Sequence, residues 1–188
     1  MILFHGTSAD AAKKILREGF CASNGRQVWT CSGDANYFWS PEELTEGGYE
    51  DGGEYAARQR AFESAQGALA MAKDCRTVVF AVEVNNSEAV EPDQSCENME
   101  GAVCVFDDVP ASAIRKVWVS NDLSLLKGYF LAMMHGRDLA NVSLSKVEER
   151  IVKDLKANCV FYPDDIEELA EEKEYSVDNS EALCKLFS

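Results

Sequence analysis

The stretch whose reading decides the fold is LFHGTSADAAKKILREGF, residues 3–20. Its apolar start, over residues 1–4, suits a short strand that ends at His5. Ser8 or Asp10 then offers a side-chain oxygen to cap a helix. Ala12, Ile15 and Leu16 fall on one face of that helix, and Gly19 supplies its stop. His5 is one of only two histidines in the chain, the other being His135. An imidazole at a strand end, followed at once by Gly6 and Thr7, suits binding better than packing.

Working outward, Ser23, Asn24 and Gly25 read as a turn. Residues 27–32 (QVWTCS) are strand-like, with Trp29 and Cys31 on one side. A short helix is expected from Asp34, carrying Ala35, Asn36, Tyr37 and Phe38. Residues 41–53 are acidic and glycine-rich, hence a loop. The strongest helix is expected at 54–73, with Phe62, Ala65, Leu69 and Ala72 inward. The strongest strand is expected at 77–84, followed by a long polar loop over 85–101 and strands at 102–106 and 113–120. From Asp122 the pattern turns helical, at 123–134, 144–157, 164–174 and 180–187. Strands interleaved with helices, then helices alone, imply an α+β domain over residues 1–121 with a helical extension over 122–188 packed on it.

The chain has 188 residues, 46% of them hydrophobic, which is enough for a real core. No apolar run approaches the ~20 residues of a membrane span, and the opening MILF is too short for a secretory signal, so a cytoplasmic location is expected. The seven cysteines are scattered without a Cys-x-x-Cys pair, and neither histidine stands at zinc-ligand spacing, so no metal site is expected. The net charge of −15 repels nucleic acid phosphates. Residues 1–40 nevertheless hold four basic side chains against three acidic ones, so an anionic small ligand is not excluded there.

The order strand, His5-Gly6-Thr7, helix, Gly19-Phe20, strand, helix resembles the ADP-ribosyltransferase fold of the histidine-tyrosine-glutamate group, which includes the poly(ADP-ribose) polymerases and small bacterial and phage enzymes. A second mark is Asp34-Ala35-Asn36-Tyr37, similar to the family's Ser-Ala-Asn-Tyr with Asp in place of the serine that binds the nicotinamide amide; Ser32 or Ser40 is the substitute for it. A third is EGAVCVFDDVPASAIRKVWV, residues 100–119, similar to the family segment that a glutamate opens. In that register the glutamate falls at Ala102, and Glu100 stands two residues earlier, on the same face if the strand extends that far. The resemblance covers roughly residues 2–120. It implies a split antiparallel β-sheet core with flanking helices.

It also implies NAD as substrate. Breaking the bond between ribose and nicotinamide makes an oxocarbenium-like sugar. By the resemblance, Gly6 pairs its backbone with the nicotinamide carboxamide, Tyr37 stacks on the ring, and His5, oriented by Thr7, bonds the adenosine ribose. Glu100 favours the cationic transition state, and Arg26 meets the diphosphate. The function so implied is mono-ADP-ribosyl transfer from NAD to a protein acceptor, as in an effector or toxin working in the cytoplasm of its own or a host cell. Two alternatives stand beside it. One is the NAD-dependent RNA 2'-phosphotransferase of the same fold, which lacks its basic half here. The other is a non-catalytic acidic binding module, with Ala102 marking the lost acid.

Overall fold

The structure is a computed structural model that describes residues 1–23, 34–46, 53–69, 72–94, 99–121 and 172–177, with Leu183, Leu186 and Phe187. The expected strand at 27–32, with Arg26 and Ser32, and the helices expected at 123–134 and 144–157 lie outside these residues.

Seven strands and three α-helices are described: β1 (Ile2–Ser8), α1 (Ala9–Glu18), β2 (Asn36–Trp39), α2 (Pro41–Glu46), α3 (Gly53–Leu69), β3 (Thr77–Glu83), β4 (Val90–Pro92), β5 (Ala102–Val105), β6 (Ile114–Ser120) and β7 (Glu172–Ser176). The strands form one sheet in the order β4-β5-β2-β1-β3-β6-β7, and every neighbouring pair is antiparallel. This is a mixed α/β architecture.

Alternation along the strands divides the core in two. Leu3, Phe38, Phe80, Val103 and Val117 share one cluster with Ala9, Ala12 and Phe20, at the two ends of α1. Phe4, Trp39, Val79, Ala81 and Trp118 share the other with Ala57, Ala61 and Phe62 of α3. A strand covered on both faces has no polar side, which is why Thr77–Val82 of β3 are all buried.

The opening motif closes on itself. Ser8 caps α1, its hydroxyl accepting from the Ala11 amide at 3.4 Å. Gly19 ends the helix with φ at 83°, and a Cβ there would strike the backbone of Val109–Ala111. Phe20 and Val109 then exchange two backbone bonds, of 2.7 and 2.9 Å. That turn drops the Phe20 ring onto His5, Phe38 and Phe80, with ring centroids 5.0, 5.3 and 5.8 Å away.

Five local expectations change. β1 runs on through His5, Gly6 and Thr7 to Ser8, because all seven of its residues pair with β3. The helix expected from Asp34 is instead β2: Asn36-Tyr37-Phe38-Trp39 lies between β1 and β5, where aromatic residues pack well on a sheet covered on both sides. Residues 41–46, expected as loop, are helical; Pro41 stands at the first helical position, where its missing N–H costs nothing, and Leu44 is buried. Residues 172–174, expected at the end of a helix, are strand. There β7 adds to the edge of β6, with Glu174 accepting from the Trp118 indole at 3.2 Å and lying 3.5 Å from Lys116. Within the expected loop at 85–101, Val90–Pro92 also form a strand.

Candidate functional site

The β1–β2 ladder is one pair long: Phe4 with Trp39. On its other side β1 pairs with β3 over seven residues. The sheet therefore parts between β1 and β2 just beyond Phe4, where His5, Gly6 and Thr7 follow.

The ladder also fixes where the Gly6 backbone points. Met1 and Val84 exchange both their bonds, of 3.0 and 2.9 Å, and Ala9 donates to Arg76 at 3.0 Å in the same register. In an antiparallel pair such hydrogen-bonded positions alternate. Odd residues of β1 thus turn N–H and C=O toward β3, and even ones turn them away. The N–H and C=O of Gly6 face the parting. The space a side chain would fill at Gly6 is taken by the Ala61 carbonyl and Ala65 of α3. The missing Cβ serves helix packing, and the backbone groups serve the opening.

His5 spans the parting. Its Nδ1 lies 2.7 Å from the Tyr37 carbonyl oxygen. A carbonyl only accepts, so Nδ1–H donates and Nε2 carries the lone pair. Burial lowers the pKa of the ring from its ordinary value, while the bond to Tyr37 pulls the other way. His5 is thus a neutral imidazole at pH 7 with one acceptor nitrogen. The bond that orients it comes from the Tyr37 backbone; Thr7, given that role in the sequence reading, is buried on the same strand.

Tyr37 follows alternation. Phe38 lies 5.7 Å from His5 in the α1-side cluster and Trp39 sits in the α3-side cluster, so Tyr37 shares the Trp39 face. Imidazole and phenol hence point to opposite faces of the sheet, and the bond between the two residues runs from the imidazole to the Tyr37 backbone carbonyl. Tyr37 and Gly6 share a face. Arg26 and Ser32, the remaining ligand-binding candidates, lie outside the described residues.

Glu100 is not on a strand. Met99 O accepts from Ala102 N at 3.2 Å, and Gly101 has φ at 80°, which makes 99–102 a tight turn with Glu100 at its exposed tip. β5 begins only at Ala102, so the period-2 argument that carried Glu100 onto the Ala102 face does not hold. Ala102 pairs with Trp39 and packs against the α3-side cluster. On the far side of β5, Glu91 pairs with Cys104, and Asp93 N donates to Ala102 O at 2.9 Å. Burial pushes the Cys104 thiol up, and the charges of Asp93 and Glu91 push it further. These two carboxylates went unnoticed in the sequence, where 85–101 reads as loop; only the register reveals them.

No group of three or more His, Cys, Asp or Glu able to hold a metal ion occurs among the described residues, and no described helix is long and apolar enough to cross a membrane. Compared with known proteins, the chain matches no family model, no curated protein and no solved structure.

The His5 shift gives a pH prediction. In the unfolded chain the ring titrates near ~6.5; in the folded one it titrates lower. Between the two values the unfolded state binds more protons, so this contribution is complete above the ordinary value and is lost as pH falls toward the folded one. Melting temperature should therefore drop less in His5→Asn than in the wild type between about pH 7 and about pH 5. Parallel profiles for the two proteins would contradict a buried neutral ring.

Proposed function

We propose that this chain is a mono-ADP-ribosyltransferase of the histidine-tyrosine-glutamate group, built on that family's split antiparallel sheet, which takes NAD as substrate and modifies a protein. The observation that carries the reading is the one-pair β1–β2 ladder, with the Gly6 amide and carbonyl turned into the opening and His5 bridged to Tyr37 across it. A carboxamide is both donor and acceptor, and the Gly6 N–H and C=O match it as a pair. The pyridinium then lies on the Tyr37 face, where an aromatic ring attracts a cation by ~0.5–2 kcal/mol. The adenosine ribose lies on the other face, giving a hydroxyl proton to Nε2 of His5. An extended dinucleotide crossing the parting meets both groups, although they point apart.

Held this way, the bond between ribose carbon and nicotinamide nitrogen breaks with its electron pair going to the nitrogen. Neutral nicotinamide leaves, and a nucleophile on the acceptor closes on the sugar cation and gives up its proton to a base. The net charge of −15 supports a protein acceptor over a nucleic acid. Ala102 at the family's acid position favours one other reading, the non-catalytic acidic module.

Incubation with NAD carrying an affinity tag and a cell lysate separates the two. The transferase reading expects free nicotinamide and tagged protein bands that require the chain. Neither product, at NAD concentrations that raise the melting temperature, leaves the binding module standing.

A further inference from the structure

We propose that Asn36 is a positioning residue for the NAD site: its amide ties β2 to the 107–109 segment and so holds the Phe20 ring and the Tyr37 carbonyl against His5. This rests on the transferase reading above. Asparagine is a poor strand former, yet Asn36 is buried at the start of β2. A buried amide there needs a partner. Its Nδ2 donates to the Asp107 carbonyl at 2.9 Å. The β2–β5 ladder ends at the Asn36–Val105 pair, so the side chain carries the connection two residues past the last backbone pair.

Residues 107, 108 and 109 then hold three separate points. The Asp107 carbonyl takes the Asn36 amide, the Asp108 carboxylate accepts from the Ala22 amide at 2.9 Å, and Val109 exchanges its two backbone bonds with Phe20. The chain leaving at Ala22 and the chain returning at Asn36 thus meet at Asp107-Asp108. Alternation puts Asn36 on the Phe38 face of β2, which is the face of His5. The imidazole has Phe20 at 5.0 Å, edge to face, and Phe38 at 5.7 Å, and its Nδ1 bonds the carbonyl of Tyr37, the residue after Asn36. What sets the ring therefore comes from β2 and from the corner that the 107–109 segment holds. Without the Asn36 amide, the two lose the bond that fixes their spacing beyond Val105. Phe20 and the Tyr37 carbonyl then no longer meet the imidazole in one arrangement. In the transferase reading His5 holds the adenosine ribose, remote from the bond that breaks. A loosened imidazole weakens the bound ground state and the transition state alike, so affinity falls and kcat stays.

The test compares wild type with Asn36→Ala, Asn36→Asp and Asn86→Ala, by NAD affinity, by nicotinamide release, and by the His5 resonance of isotope-labelled protein before NAD is added. Asn36→Asp keeps the shape of the side chain and turns its donor into an acceptor, so it carries the comparison should Asn36→Ala not fold. Asn86 accepts from the Glu88 amide at 3.2 Å in the connection between β3 and β4, and its loss controls for a missing asparagine bond outside the His5 surroundings. Both Asn36 variants should bind NAD ~10-fold more weakly, with kcat within about 2-fold of wild type and the His5 resonance displaced. Asn86→Ala should match wild type in all three. An active wild type whose Asn36 variants keep NAD affinity within about 2-fold, or lose kcat instead, overturns the assignment and leaves the transferase reading standing. An unmoved His5 resonance overturns it as well, and so does a loss of affinity shared by Asn86→Ala. A wild type that neither binds NAD nor releases nicotinamide sinks the transferase reading, and the role of Asn36 in NAD binding falls with it.

Discussion

Gly6→Ala is expected to be the most damaging single methyl group that can be added to this protein. A Cβ at position 6 would lie 2.5 Å from the carbonyl carbon of Ala61, closer still to its oxygen, and 3.1 Å from the Ala65 side chain. The first obstacle is helix backbone, which has no rotamer to escape into. Either α3 lifts off β1, or β1 shifts against β3, where seven residue pairs hold it. Both routes disturb the cluster of Phe4, Ala57, Ala61, Phe62 and Val79. Overpacking typically costs 1–3 kcal/mol, and a clash between backbones belongs at or beyond the top of that range, about 3 kcal/mol. For a domain of this size that is a fall in melting temperature of roughly 6–12 °C. A variant melting within about 2 °C of wild type would mean that α3 does not rest on β1 as described.

The second large effect concerns ligand, not folding. His5→Asn keeps a side-chain N–H close to where Nδ1 donates to the Tyr37 carbonyl, and it removes Nε2, the acceptor nitrogen of the ring. If that nitrogen receives a ribose hydroxyl, its loss leaves a buried donor on the ligand unpaired, at about 1.5–3 kcal/mol. Affinity for NAD should then fall ~10–100-fold, since each 1.4 kcal/mol is a factor of ten. The Phe20 and Phe38 rings around His5 lose part of their contact, so the variant melts somewhat lower, and calorimetry at a temperature well below its midpoint reads affinity apart from stability. Unchanged affinity would remove His5 from the NAD site.

What the sequence revealed and what it hid follow one line. Local signals were legible. Ser8 as cap, Gly19 as stop, the apolar face of α1, the apolar run of β3 and the strands opening at Ala102 and near Ile114 all rest on residues near one another in the chain. Long-range pairing was not legible. Asn36–Trp39 looks helical until β1 and β5 flank it, and Glu172–Glu174 looks like a charged helix face until the edge of β6 recruits it. Glu100 drew attention because it stands two residues from Ala102, but Gly101 in the left-handed region turns the chain there, and strand alternation stops at the turn. Asp93 and Glu91 carry no motif; their relation to Ala102 and Cys104 exists only through an antiparallel register between segments separated by a turn. The same holds for His5 and Tyr37, whose link is a side-chain bond to a backbone carbonyl, thirty-two positions away.

The central claim is that NAD seats in the parting between β1 and β2 and touches His5. Nuclear magnetic resonance on protein carrying isotope-labelled histidine tests it directly, because the chain has two imidazoles and the signal absent from His5→Asn is that of His5. On titration with NAD the His5 signal is expected to move and to saturate, still reporting a neutral ring. A His5 signal that stays unmoved through millimolar NAD would contradict the account at its base.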